Sequence, residues 1–271
     1  VRSGAGTFSS DVGVYKGNWA GNDQSGEGWM EYANGEVYKG QWAAGARSGE
    51  GTMTYSQGDS YAGKWRADHR EGEGVMEYAN GDVYDGAWGF DTHNGVGSFS
   101  FKEKNEAYTG EWRYGEMSGE GKFIYSNGDG YVGRFLKGEC VGAGKHTYAN
   151  GDEYEGDFES NKRHGKGKMV YENGDEYEGT WKVGDRHGTG SCKFKAGSDY
   201  QGVWTADKMT GAGRFEDADG MITEGEFVDG QAAGGAKSYN KHGDQYDGQF
   251  SEGRRHGQGT LRYGTGDYYV G

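Results

Sequence analysis

Proline is missing from all 271 residues, and cysteine occurs only at Cys140 and Cys192. Without proline a collagen triple helix is excluded. Two cysteines are too few for a disulfide framework and lack the spacing of a zinc site, so a reducing intracellular compartment is expected. No stretch approaches the ~18 apolar residues of a membrane-spanning helix. The first residues, Val1-Arg2-Ser3-Gly4, show no basic segment followed by an apolar run, so no secretory leader is read there. Positive charge is also scarce: 29 Lys and Arg stand against 43 Asp and Glu, a net charge of −14. Nucleic acid is therefore not expected as a partner, because binding there rests on neutralising phosphates. The same balance predicts weak or no binding to anionic membranes.

Glycine and aromatic residues fill the space these absences leave. There are 57 glycines, about three times the ordinary ~7%. A mean hydropathy of −1.03 with high net charge would suit a disordered chain, but 8 Trp, 21 Tyr and 11 Phe argue against it.

The explanation is a repeat. Tyr-x-Gly-x-Trp, or a variant with Phe in the last place, starts at positions 15, 38, 61, 84, 108, 131, 154, 177, 200 and 246. A copy with Thr in the first place starts at 223, and a twelfth begins at 269. The step is 23 residues, except for 24 between Tyr84 and Tyr108. Gly-x-Gly pairs such as Gly49/Gly51 and Gly72/Gly74 recur in the same frame. Residues 1–271 thus read as a single array. Within a unit, Gly51–Tyr55 and Ser60–Trp65 alternate as two strands, with Met53, Tyr55, Tyr61, Gly63 and Trp65 on one face. Asn-Gly turns, as at Asn34-Gly35 and Asn80-Gly81, predict type I′ hairpins, and a six-residue loop, Ala43–Ser48, is expected to lead to the next unit. Glycines such as Gly40 and Gly49 are expected to leave room for rings lying over the backbone. The expected fold is all-β: an elongated solenoid of tandem 23-residue β-hairpins forming one continuous twisted antiparallel sheet, whose stacked units bury what one hairpin cannot. Absent proline fits strands paired on both sides.

Trp42-Ala43-Ala44-Gly45, Gly49-Glu50-Gly51, Tyr55, Gly58-Asp59 and Tyr61 resemble the MORN repeat (membrane occupation and recognition nexus). The resemblance covers nearly the whole chain. It implies the same hairpin solenoid, and protein partners of a cytoskeletal or axonemal kind, with homodimerisation through terminal repeats. It also implies an alternative: a regulatory or phosphoinositide- and membrane-associating module of a larger protein.

Two stretches break the pattern. Lys102-Glu103-Lys104-Asn105-Glu106 replaces Asn-Gly-Asp and predicts a longer turn. At 215–240, Asp217 stands at a Tyr position, Thr223 replaces the motif Tyr and Ala236 the second glycine; this reads either as neutral drift or as a bend or partner contact.

Catalytic signatures are not found. The Gly-x-Gly pairs lack the Gly-Lys-Ser/Thr and strand-to-helix context of a phosphate loop. Acid pairs such as Asp152-Glu153 and Asp175-Glu176 read as turn caps, not general acids or bases. His164, His187 and His256 share one repeat position, and His164 and His187 would lie ~10 Å apart, too far to share an ion. Zinc held across a dimer with Cys140 is the remaining metal reading; no cofactor or metal is expected. The aromatic face is the candidate partner groove, at Tyr38, Trp42, Tyr61, Trp65, Tyr84, Trp88, Tyr108 and Trp112; the competing reading is that these rings pack on one another. A candidate anionic-lipid edge comprises Lys162, Arg163, Lys166, Lys168 and Arg186. The function expected is a non-enzymatic scaffold of a cytoskeletal or ciliary assembly, cytoplasmic, holding a partner segment along the aromatic groove.

Overall fold

Each 23-residue copy spends its residues on two strands and two turns, and the computed structural model describes all residues, 1–271. The fold is all-β, without helix. Two compact units divide it, Val1–Glu139 and Cys140–Gly271. The first holds β1 (Gly4–Ser10), β2 (Gly13–Ala20), β3 (Asp23–Tyr32), β4 (Val37–Ala43), β5 (Ala46–Thr54), β6 (Ser60–Arg66), β7 (His69–Glu77), β8 (Val83–Gly89), β9 (Thr92–Phe101), β10 (Glu106–Arg113), β11 (Glu116–Ile124) and β12 (Gly130–Leu136). The second begins with β13 (Glu139–Thr147). It continues through β14 (Glu153–Glu159), β15 (Lys162–Val170), β16 (Glu176–Lys182), β17 (Asp185–Lys193), β18 (Asp199–Thr205), β19 (Lys208–Glu216), β20 (Ile222–Val228), β21 (Gln231–Tyr239), β22 (Gln245–Ser251), β23 (Arg254–Arg262) and β24 (Tyr268–Val270). Within each unit successive strands pair antiparallel in chain order.

Register aligns like with like. Tyr38 faces Met53 and Met53 faces Tyr61; Gly40 faces Gly51 and Gly51 faces Gly63; Trp42 faces Arg47. In these copies one face therefore carries three parallel rows: a Tyr/Met row, a glycine row and a Trp/Arg row. The tyrosine leans across the glycine row. A Cβ at Gly51 would lie 2.6 Å from Tyr38 Cε2 and closer still to its oxygen, so only glycine fits beneath the ring. The Tyr38 hydroxyl donates to the Gln41 carbonyl at 3.0 Å, and Tyr61 and Tyr84 repeat the bond to Lys64 at 2.9 Å and Ala87 at 2.7 Å.

The other glycine of the pair has a different reason to be glycine. Gly49 takes φ +69° at a bulge, where the register shifts between Gly40 and Trp42 on the facing strand. A side chain there would collide with Gln41, whose Oε1 accepts from the Glu50 N–H at 3.3 Å. The expected role of Gly40 as a bed for a ring holds; at Gly49 the constraint is the positive φ.

The turns also differ from expectation. Ala43–Ser48 is not a loop: β4 and β5 are joined by two residues, Ala44 and Gly45, with φ of 49° and 82°. This is the type I′ geometry, and Ala67-Asp68, Phe90-Asp91 and Val183-Gly184 repeat it with both residues at positive φ. The Asn-Gly sites are something else. At Asn34-Gly35 only the glycine has positive φ; its N–H donates to the Tyr32 carbonyl, and the Tyr32 N–H to the Glu36 carbonyl, both at 2.9 Å. That is a three-residue connection, a type I turn closed by a left-handed glycine. Asn34 serves by accepting the Glu36 N–H at 3.1 Å. The expected longer turn is present, with Lys102–Asn105 linking β9 to β10.

Both edges are stitched to the next copy. Asp59 accepts the Ala79 N–H at 2.8 Å and Asp152 the Glu172 N–H at 2.8 Å, while Asp68 accepts the Arg47 N–H at 2.9 Å. The acid pairs expected as turn caps thus include residues that reach into the neighbouring repeat.

The irregular copy in the second unit obeys the same geometry. Thr223, which supplies no ring, shares its hairpin with Ala236, which faces Gly225 in the glycine row. A methyl is tolerated in that row only where no ring lies over it. Thr223→Tyr alone should therefore destabilise by roughly 1–3 kcal/mol through overpacking, whereas Thr223→Tyr with Ala236→Gly should be more stable than the parent. Urea unfolding of the four-member cycle should give a coupling of about 1–3 kcal/mol; additive behaviour would refute the account.

Candidate interaction surface

The rings marked as a partner groove form the core. Tyr38, Tyr61, Tyr84 and Tyr108 are 0% exposed and Trp42, Trp65, Trp88 and Trp112 are 4–7% exposed. Tyr38, Tyr61 and Tyr84 each stand edge-on between the Trp of their own copy and that of the next, and Tyr108 between Trp112 and Phe135, at centroid distances of 5.1–5.5 Å. Trp65, Trp88 and Trp112 close their indole N–H on glycine-row carbonyls at 2.9–3.2 Å; Trp42 Nε1 is buried without a partner. Burial holds the Tyr108 phenol up to about 12 and pushes those of Tyr38, Tyr61 and Tyr84 higher still. A partner cannot touch these rings, so the competing reading, packing against one another, is the one the structure bears out.

What a partner can touch is the layer over them. Tyr32, Tyr55 and Tyr78, each the last aromatic residue before a three-residue turn, are half-buried at 23-residue steps. Their phenols are raised chiefly by desolvation and eased by Arg47 or Arg70, so they stay neutral donors. Beside them the Arg47 and Arg70 guanidinium groups lie over Trp65 and Trp88 at 4.3 and 4.4 Å. Each is clamped by the next turn: Arg47 Nε donates to Asp68 at 2.9 Å, and Arg70 Nε to Asp91 at 3.2 Å. In the second unit Arg186 repeats this on Trp204 and Asp207, and Tyr171 repeats the half-buried phenol. This tyrosine–arginine layer was missed among the candidates because its Tyr lies outside Tyr-x-Gly-x-Trp, although its spacing is equally regular.

His93 takes the arginine place in its copy. It stacks on Tyr84 at 3.7 Å, stands edge-on to Trp88 and Trp112 at 4.7 and 5.1 Å, and meets the Tyr78 hydroxyl at 3.2 Å.

The five residues of the expected lipid edge are not brought together. Arg163 and Arg186 lie on the ring face, Arg163 over Trp181 at 4.4 Å, while Lys166 and Lys168 point from the opposite face of β15. Lys168 is paired with Glu176 at 2.8 Å and Arg186 with Asp207 at 3.0 Å; Lys162 stays exposed. The cause is strand alternation, which sends neighbours in sequence to opposite sides. His164 lies 3.2 Å from Glu159, Cys140 is 3% exposed, and burial pushes Cys192 up to about 11.

A family model of the MORN repeat matches residues 15–37, 38–60, 61–83, 108–130, 131–153, 154–176, 177–199, 200–222 and 246–268, about three quarters of the chain. The two copies it leaves out are those with the longer turn and with Thr223. No curated protein matches the chain. Among solved structures, a mutant TCP10 domain of Danio rerio CPAP is similar at 12% identity, covering 80% of this chain and 96% of that one, with a TM-score of 0.37. The wild-type domain in complex with a peptide of Danio rerio STIL is 12% identical, covering 90% and 93%, with a TM-score of 0.26. The SAS-4 TCP domain of Drosophila melanogaster, in complex with a proline-rich motif of Ana2, is 11% identical, covering 90% and 88%, with a TM-score of 0.25. Likenesses this low carry no functional inference.

Burial, with Arg70 adding to it, holds His93 down at about 4, against an ordinary 6.5. The unfolded chain therefore takes up this proton first, so the contribution of neutral His93 is complete above pH 6.5 and is lost as pH falls toward 4. Urea midpoints measured from pH 7 to 4 should fall less steeply for His93→Gln than for the parent. Parallel curves would refute the assignment.

Proposed function

The chain belongs to the MORN-repeat family, and from that premise we propose that it is a non-enzymatic scaffold that holds an extended partner segment across its hairpins. The observation that carries this reading is the half-buried row Tyr32, Tyr55 and Tyr78, interleaved with Arg47 and Arg70 over a closed aromatic core. Two strands per copy set the step at ~10 Å, close to three residues of an extended chain. A partner strand can thus meet a rigid phenol at every third residue, and rigid Tyr and Arg groups are the residue types enriched at binding hot spots. The regular lattice of hydrogen-bonded strands offers fixed spacing, which suits a structural role in a cytoskeletal or ciliary assembly in the cytoplasm. The dispersal of Lys162, Arg163, Lys166, Lys168 and Arg186 gives the phosphoinositide alternative no comparable support.

Self-association through the ends fits the same role. β1 pairs with β2 on one side and is exposed along its length, which leaves a strand edge open to another chain. Light scattering should show a dimer that Thr7→Pro, on the β1 edge, weakens. A monomer at all concentrations overturns this part.

Capture of partners by the parent chain and by Tyr55→Ala/Tyr78→Ala tests the main reading. The double variant should lose at least about tenfold in bound partner while keeping its circular dichroism, since half-buried rings outside the core are removed. Trp65→Ala, by contrast, should cost about 3–5 kcal/mol of stability because it opens the core. An unchanged partner set with the double variant sinks the proposal.

A further inference from the structure

Half-buried rings stand at or just after the ends of β3, β5, β7, β9 and β11: Tyr32, Tyr55, Tyr78, Phe101 and Tyr125, 23 residues apart and once 24. The row runs square across the strands, because register carries Tyr38 to Met53, Met53 to Tyr61, Tyr61 to Met76 and Met76 to Tyr84. Successive rings are therefore two strand spacings apart, ~9.6 Å. A β-strand cannot meet that step with one face. Its side chains alternate, so a face returns after two residues, ~6.7 Å, or four, ~13.4 Å, and the third residue points away. An α-helix nearly repeats a face after seven residues, ~10.5 Å, and overruns the row by ~0.9 Å per copy. A polyproline II helix has three residues per turn at ~3.1 Å each, so the same face returns every ~9.3 Å. Across Tyr32, Tyr55 and Tyr78 it drifts by only ~0.6 Å.

We propose that the tyrosine row, on its reading above as the partner site, binds a polyproline II segment of another protein, with proline at every third residue and basic residues between. Two further observations select this occupant. The Tyr32 and Tyr55 hydroxyls find no acceptor within the chain, and a polyproline II backbone has carbonyls bonded only to water, free to accept them. The charges acting on Tyr32, Tyr55 and Tyr78 are Arg47 and Arg70 against Glu36, Asp59, Asp68, Asp82 and Asp91. Asp68 and Asp91 hold the two arginines. Asp59 and Asp82 accept the neutral N–H groups of Ala79 and Lys102 at 2.8 and 2.7 Å, which leaves their negative charge in place. The surplus along the row favours a positively charged segment. Proline suits the phenols because its ring lies flat on them and its fixed φ leaves little freedom to lose on docking. The 271 residues contain no proline, so they do not supply this occupant.

The test titrates the full chain into dye-labelled, capped nonapeptides and reads fluorescence anisotropy. The main probe is three copies of Pro-Ala-Arg. Its isomer, Pro-Ala-Pro-Arg-Pro-Ala-Arg-Ala-Arg, has the same composition with proline at every second residue, and a third probe is three copies of Val-Ala-Arg. The main probe should bind, with the isomer and the valine peptide each at least about fivefold weaker, since neither is preorganised to the three-residue step. Three copies of Pro-Ala-Glu should not bind. Tyr32→Phe/Tyr55→Phe keeps both rings and removes only the hydroxyls. It should weaken the main probe about tenfold, a few-fold per hydrogen bond, with circular dichroism unchanged. Equal binding of the isomer or the valine peptide, binding of the glutamate peptide as tight as that of the main probe, parental affinity in the phenylalanine variant, or no binding at all would each overturn the proposal. Peptide binding that survives Tyr55→Ala/Tyr78→Ala would place the segment elsewhere and overturn it too. Partners captured by the parent and lost from that double variant, with no peptide bound, would overturn the polyproline II occupant alone and leave the tyrosine row as the partner site.

Discussion

A tyrosine ring lying flat across two glycines is the contact on which everything else depends. It needs a strand pair in which Gly40 meets Gly51, and it needs the hydroxyl to reach a carbonyl three residues on, as Tyr38 reaches Gln41 at 3.0 Å. Once the ring is down, it presents both edges to indoles, and each indole is shared with the neighbouring copy. Core formation is therefore a property of adjacent pairs of hairpins and not of any one hairpin, which is the thermodynamic signature of a stacked array. The same contact explains a composition rich in glycine and aromatic residues: each ring demands two positions that carry no side chain.

Burial of those rings moves recognition outward. With Tyr61 and Trp65 closed off, the reachable surface is built by residues that cover them, and these are held with little freedom. Arg70 is fixed by Asp91 on one side and by the Trp88 face on the other. Little entropy remains for such a side chain to lose when a partner arrives. His93 does the same work without a charge, which makes the covering layer uneven along the first unit.

Much of the architecture was legible from spacing. The 23-residue step, the two strands per copy and the shared aromatic face all follow from periodicity and alternation, and the structure has them. Turn chemistry was harder to read because Asn-Gly serves two geometries: a two-residue link with both φ positive, or the closing glycine of a three-residue link. The distinguishing fact lies elsewhere, at Gly49, where a bulge breaks the alternation and makes the start of β5 look like loop. The candidate groove was wrong for a related reason. Sequence places Tyr38 and Trp42 on one face of a sheet, but it does not reveal that the tyrosine folds down onto the glycine row and brings the rings into mutual contact. The basic edge failed on simple alternation, since Lys162 and Arg163 could not both face one way.

The paired departure at Thr223 and Ala236 bears on how such a chain can grow. Within the first unit, copies are sewn to their neighbours by bonds that span 20 or 21 residues, as between Asp59 and Ala79 or Asp68 and Arg47. A coding segment of one repeat, duplicated or lost in frame, leaves those stitches with equivalent partners, so length is heritable as a free variable. Thr223 and Ala236 sit in the same copy and would travel together through such an event. Recombination can therefore carry the ringless hairpin to a new address along the array without having to rebuild it.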